Sequence, residues 1–493
     1  MSVVQRVVKN AAALYIAQIA VTLLGLVLTI FMARELGSAN FGKFSFAAGF
    51  TAIFAVFLNL GLDTLMVREI ARDKSLASKY MGNIFIIKAV LAVIVFVSIV
   101  LVLKLIKYPA DTSMAVLIFG VSIVFTGFSF IFLQTIQAFE RMEYNALISV
   151  ASQIVLVSLG LSALFLGYGL IGVVSAFAIS SLFRLILSFL ICRQKFAGPK
   201  VETDFKFWKI IGKRALPLGV IPLAAIITQR ADIVMLSGFK GDSAVGWYNA
   251  AVNIPLGFAQ VPWLLMVALL PMMSASFMNS RDTLIFIFEK SSKFLLILAL
   301  PMAVGMFLLS DRIILVLLGN EYYPSISALQ ILSWKLLLNF LGTPMSSALI
   351  SMNKERQVAI ISGLSAVINI TLNLILIPPF SYTGAAAASI TTQFITFLIY
   401  YYFTSNNLKR LPLHKLALKP AVACVAMVIF VKLAASLNMF LIIGLAAVIY
   451  FLTLWALKPF DRDDIRLLKE IIRVPNALKA RVGNSKNSNG PKG

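Results

Sequence analysis

"SANFGKFSFAA" (residues 38–48) and "DSAVGWYNAA" (residues 242–251) are one short turn-to-helix opening written twice. Gly42 and Gly246 align at an offset of 204, and each stretch closes one apolar run and starts the next. Two further matches keep the same order. "FERMEYNALISVASQIV" (139–155) aligns with "NKERQVAIISGLSAVIN" (353–369), placing Arg141 opposite Arg356 at an offset of 215. "GVVSAFAIS" (172–180) aligns with "GAAAASITT" (384–392) at an offset of 212. A shared order at nearly constant spacing implies two homologous halves of six apolar segments each. An even number of segments per half keeps both in one orientation, related by an axis along the membrane normal.

The rest of the chain fits that frame. Its 493 residues are 60% hydrophobic and 13% charged, with a mean hydropathy of +0.94. Apolar runs of about 20 residues match a hydrocarbon core of about 30 Å, whereas a transmembrane barrel would alternate in short segments. Fourteen spans are expected, at 10–34, 40–62, 80–104, 113–138, 146–167, 170–192, 215–239, 245–275, 291–310, 325–351, 356–377, 383–404, 416–436 and 438–457. The expected class is therefore all-α and polytopic, with two pseudo-symmetric six-helix lobes (1–192 and 215–404) joined by a basic linker at 193–214. Two additional helices (405–457) and a basic tail (458–493) follow, with Ile465, Leu468 and Ile472 on one helical stripe before Pro475.

A net charge of +23 on a soluble chain would suggest nucleic acid; here its placement speaks instead for topology. With the N-terminus inside, 32 Lys and Arg fall on inner segments, six on outer segments and five within spans. Both termini are thus expected in the cytoplasm of a cell-membrane protein, with no nucleic-acid partner. The N-terminal apolar run continues to Ala33, too long for a cleaved signal, so a retained first helix is expected. Cys192 and Cys424 give no disulfide framework, His414 stands alone, and no cluster has metal-ligand spacing. No cofactor or metal is expected.

A charge at bilayer depth costs roughly 2.5–3.5 kcal/mol on insertion scales, so such a residue faces a wet cavity or a partner. Arg230 lies past the middle of the seventh span, and Asp232, two residues on, is rotated by about 200° to the opposite face. Lys335, Lys88 and Arg184 are further intramembrane cations, and Asn253, Gln260 and Gln18 are polar groups that can line the same space. Asp63, ahead of Arg68 and Arg72, reads as a local ion pair, with ion coupling as the second possibility. The seventh span holds Pro217 and Pro222, and the eighth Pro255, Pro262 and Pro271. Interior prolines remove backbone hydrogen bonds and bend helices, so these are hinge candidates; bends that serve only packing are the competing reading.

The two six-segment halves, "RELGSANFGKFSFA" (34–47), "VGWYNAA" (245–251), the three prolines of the eighth span, "MNKERQ" (352–357) and "NLILIPPFSYTGAAAASITTQ" (373–393) together resemble polysaccharide-unit flippases of the Wzx type. These share a superfamily with multidrug and toxin extruders and lipid II flippases. The resemblance implies two lobes around a V-shaped cavity lined mainly by helices one, two, seven and eight, opening alternately to each side. It implies outward transport of a polyprenyl- or dolichyl-diphosphate oligosaccharide whose lipid tail stays in the membrane. Glycan polymerase or glycosyltransferase machinery are the implied partners, and no enzyme activity is implied. Diphosphate needs cations or N–H donors in low dielectric, which points to Arg230 first, then Lys335, Lys88 and Arg184. Asp232 is a candidate for coupling to H⁺ or Na⁺, or for positioning a helix. The first helix offers only Gln18, without the cations common in lipid II flippases or the acid common in multidrug extruders. Those two classes, a multidrug or metabolite antiporter and a lipid II flippase, remain the alternatives.

Overall fold

The computed structural model describes residues 3–200, 204–434 and 436–458, and these are predominantly α-helical. Eleven continuous helical stretches are long and apolar enough to cross a bilayer. Two of them each hold two crossings. Ile16–Arg72 turns at Gly37 (φ 70, ψ 171), a backbone state that a residue without a Cβ adopts readily, and Glu355–Asn407 turns at Ser381, just past Pro378 and Pro379. Phe205–Lys240 supplies the seventh crossing. All fourteen expected spans are present.

The first span ends at 36 and the second occupies 38–59. The third to sixth are Ala77–Ile106, Ala110–Ala138, Met142–Phe165 and Gly169–Lys195. Spans seven to ten are Phe205–Lys240, Asp242–Asn279, Arg281–Leu308 and Ser325–Ser351. The eleventh and twelfth divide 355–407 at Ser381, and Leu413–Leu433 and Met439–Ala456 complete the set. Residues 205–214, inside the expected basic linker, are helical and continue the seventh span. The tail stripe of Ile465, Leu468 and Ile472 lies outside the described residues.

Spans four, five and six pack on one another and on the first two spans in one lobe. Spans nine, ten, eleven and twelve build the other, and the thirteenth packs on the ninth and the fourteenth. Ala385, Ala386 and Ala388 are fully buried, and small side chains of this kind let membrane helices approach closely. Val93, Leu101, Ile429 and Phe440 lie exposed on the rim, where lipid tails satisfy them.

The eighth span is two helices, Asp242–Phe258 and Gln260–Asn279, broken at Ala259. Pro262 explains the position. Its ring crowds the carbonyl four residues back, that of Phe258, and it has no N–H to offer that carbonyl. Ala259 N–H bonds instead to Leu256 O at 3.2 Å, the tighter three-residue closure. Pro255 and Pro271 lie inside the two halves without breaking them.

At the end of the molecule with few basic residues, the lobes meet along the repeated motif. A Cβ at Gly42 would lie 2.6 Å from the carbonyl carbon of Asp242, and a Cβ at Gly246 would lie 2.9 Å from that of Ser38. Asp242 stands 204 positions after Ser38, as Gly246 does after Gly42, so the contact is reciprocal. Asn249 Nδ2 donates to Ser45 Oγ at 2.7 Å, another pair at the same offset. Around this seam, Ser38 N–H donates to Glu321 Oε1 (2.6 Å), Trp247 Nε1 to Glu321 O (3.1 Å) and Tyr322 OH to Ala33 O (2.8 Å). The guanidinium of Arg34 binds the carbonyls of Val316 and Leu317. The molecule is closed on this side.

Candidate functional site

The seventh span carries the two charges that set up the site, and they part as the helical rotation requires. Arg230 turns toward the second span, with its Cδ 3.9 Å from the Cβ position of Gly49. Its Nε is buried with no hydrogen-bond partner, and the guanidinium makes no ion pair among the described residues. One turn away, Ile226 lines a cavity of about 360 Å³. Thr51, Ala52, Val56 and Asn59 of the second span and Ser122 of the fourth form most of its other walls. Arg230 is thus a cation without a direct ion pair among the described residues, at the lobe interface and next to an otherwise weakly polar space.

Asp232 points the other way, into the C-terminal lobe, and is buried. Its Oδ1 accepts the N–H of Ile233 at 2.9 Å, and its Oδ2 accepts the hydroxyl of Tyr248. Ser389 Oγ lies 3.5 Å from the same Oδ2 and accepts a hydrogen bond from Lys335 Nζ at 2.8 Å. Lys335 therefore reaches the carboxylate through a serine rather than by direct contact. Such an arrangement offsets the burial of both charges.

Lys335 also lines a cavity of about 540 Å³ inside the C-terminal lobe. Spans seven, eight, ten, eleven and twelve enclose it. Its polar wall is mostly carboxamide: Gln229, Gln260, Asn339 and Gln393. None of these four side-chain amides bonds to another described residue. Ser365 and Thr396 pair at 2.8 Å on the same wall, and Trp263 and Tyr400 add aromatic surface. Among the described residues, Lys335 is the one charged residue in the lining, and no carboxylate faces the space. The volume falls within the roughly 300–1,000 Å³ of small-molecule sites.

The remaining site residues scatter. Lys88 lines neither cavity. It is buried, and its ammonium donates to Asn59 Oδ1 (2.8 Å), Asp63 Oδ1 (2.7 Å) and Gly127 O (2.9 Å), which uses all three donors. The local pairing expected for Asp63 is corrected accordingly. Arg68 and Arg72 pair with Glu69, and Asp63 with Lys88, 25 residues along. Arg184 lies over the ring of Phe130 at 5.4 Å, with Nε buried and unpartnered, outside both linings. Asn253 is half-buried and outside both linings, and Gln18 is exposed and bonds within its own helix. Gln260 and Pro255 do line the large cavity, Pro217 and Pro222 lie within the seventh helix, and Pro262 sits beside the break at Ala259. Spans two, seven and eight contribute to the two cavities, while no residue of the first appears in either lining.

Of the four cavity amides, Gln260 stands out in the sequence, while Gln229, Asn339 and Gln393 do not. A signal existed: Lys335 and Asn339 are four residues apart, and so share one helical face, inside an apolar span. Gln229 adjoins Arg230, and Gln393 closes the repeat motif at 384–392.

Residues 7–277 match the polysaccharide biosynthesis protein family, and residues 217–375 match the MatE family. A probable low-salt glycan biosynthesis flippase of Haloferax volcanii, Agl15, is 22% identical over 385 residues, covering 76% of this chain and 79% of that protein. Among solved structures, the lipid II flippase MurJ in an inward closed conformation superposes with a TM-score of 0.75 at 17% identity, covering 90% of this chain and 98% of that one. An inward-facing multidrug resistance MATE family transporter of the MOP superfamily gives 0.62 at 16% identity, covering 79% and 94%.

Proposed function

The chain belongs to the polysaccharide biosynthesis protein family, and from that membership we propose that it flips a lipid-linked oligosaccharide across the membrane by alternating access. The observation that carries the proposal is the 540 Å³ cavity with four uncommitted carboxamides, hydroxyls and a tryptophan but no carboxylate. Amides offer both donors and acceptors, which suits the mixed hydrogen bonding of sugar hydroxyls, and an aromatic face suits a sugar ring. The name of the Haloferax relative supports the same substrate class. An exporter of cationic drugs is disfavoured because neither cavity presents an acidic wall.

In this proposal the basic end faces the cytoplasm of the cell membrane, and glycan enters there from the inner leaflet. The polyprenyl or dolichyl tail stays among the lipids while the diphosphate pairs with Arg230. Arginine holds phosphate oxygens in bidentate fashion, and in low dielectric an unpaired guanidinium is a strong anion site. The glycan occupies the C-terminal cavity. Transport then requires the Gly42–Gly246 seam to open while the other end closes, with the break at Ala259 as a joint. Asp232, connected to the cavity only through Ser389 and Lys335, is the candidate for coupling to H⁺ or Na⁺. Glycan polymerase or glycosyltransferase machinery would use the delivered unit.

The test is Arg230→Gln in a strain that depends on this chain for glycan delivery. The expected result is loss of lipid-linked glycan at the outer surface, with the protein still inserted and eluting as one species in detergent. Undiminished delivery would remove Arg230 from the substrate path.

A further inference from the structure

The two cationic centres face different spaces. Arg230 looks toward the second span at the lobe interface, whereas Lys335 lies within the C-terminal lobe among the amides of the large cavity. A diphosphate joins glycan to lipid and must stay near the lipid. An anion that reaches Lys335 must therefore belong to the glycan.

The setting of Lys335 suits such an anion. Among the described residues its only hydrogen bond goes to Ser389 Oγ, which leaves two of its three donors for the cavity. Asp232 offsets the buried ammonium from behind Ser389, and its own oxygens are occupied by Tyr248 and the Ile233 N–H. The counter-charge stabilises the lysine without covering its open face. Asn339, one turn along the same helix, can bond to a ring held there, as can Gln393 from the facing span.

We infer that the transported glycan carries a carboxylate-bearing sugar, of the uronic-acid type, seated in the C-terminal cavity with its carboxylate on the Lys335 ammonium. This rests on the flippase reading and sharpens it. Lys335 is a specificity-determining residue for the glycan, while Arg230 serves any diphosphate-linked substrate.

The experiment uses the full chain in proteoliposomes with two fluorescent polyprenyl-diphosphate trisaccharides, identical except that one ends in glucuronate and the other in glucose. The wild type is expected to flip the acidic substrate faster by at least about tenfold, the scale of one charge-assisted hydrogen bond. Lys335→Gln should bring the acidic-to-neutral rate ratio down to about one, and Lys335→Arg should keep the preference. Because Lys335→Gln leaves Asp232 without its counter-charge, the double substitution Lys335→Gln with Asp232→Asn is measured alongside and should show the same loss of preference, read as the acidic-to-neutral rate ratio, whatever its absolute rate. Equal wild-type rates for the two substrates, or an equal loss of both in Lys335→Gln and in the double variant, overturns the inference but not the flippase reading. A wild type that flips neither overturns both.

Discussion

Gly42→Ala tests how the closed side is held. The added methyl would sit 2.6 Å from the carbonyl carbon of Asp242 in the partner lobe, and that carbonyl belongs to a helix backbone that cannot rotate away. Overpacking of this kind costs typically about 1–3 kcal/mol. The cost applies only while the seam is shut, because a separated second span leaves the methyl free. Alanine's intrinsic advantage over glycine in a helix, about 1 kcal/mol, is present in both states and cancels from their difference. The equilibrium should therefore move toward the open seam by a factor of about 5–150. The reporter is Asn249→Cys, after Cys192 and Cys424 have been replaced, labelled by a membrane-impermeant thiol reagent from the charge-poor side. With the same reporter in both backgrounds, the loss of its bond to Ser45 cancels. Labelling should accelerate by that factor. Gly246→Ala should give an effect of similar size, because its methyl meets Ser38 in the same way. Unchanged labelling in both variants would refute the view that this contact holds the seam shut.

Two other features give sharp outcomes. Lys88→Met strands Asp63 in a buried site and should cost about 3–5 kcal/mol in stability, seen as a lower thermal midpoint in detergent. Adding Asp63→Leu should recover most of that loss together with transport; a folded but inactive double variant would return Lys88 to the substrate path. The Phe207 N–H, followed by the ammonium of Lys79 at 3.1 Å, holds the carboxyl of Asp204 below the ordinary carboxylate range. With its folded pKa lowered, Asp204 contributes fully above the ordinary aspartate value of about 3.9 and loses its contribution as the pH falls through the lowered value. Hydrogen-exchange protection of the Phe207 amide should thus persist from neutral pH to about pH 4 and fade below it, and Asp204→Asn should remove the dependence. Protection that fades near pH 6 would contradict the assignment.

The architecture was legible because it is written in backbone constraints. Two glycines must admit a carbonyl from the opposite lobe, so "SANFGKFSFAA" and "DSAVGWYNAA" still look alike although most of their other positions differ. Intramembrane charges were legible because their cost makes them rare, and the 200° between Arg230 and Asp232 follows from helix geometry alone. Partners were less legible. Lys88 finds Asp63 across a helix pair, whereas sequence spacing favours Arg68 and Arg72, which Glu69 takes instead. Gln229, Asn339 and Gln393 were less legible than Gln260, because a neutral carboxamide costs less to bury than a charge and so stands out less against its apolar span. Only the meeting of five helices shows that Gln229, Gln260, Asn339 and Gln393 share one wall.

The reciprocity of the glycine contact has a historical consequence. A surface on which Gly42 meets Asp242 while Gly246 meets Ser38 is self-complementary, the kind formed by two identical subunits around a dyad. Two copies of a single six-helix ancestor could dock through it before any gene fusion joined them. Once joined, the halves no longer had to stay alike away from the dyad. One was free to acquire a deep amide-lined chamber while the other kept a shallow, greasy one, and so a symmetric dimer could become a carrier with two unlike compartments.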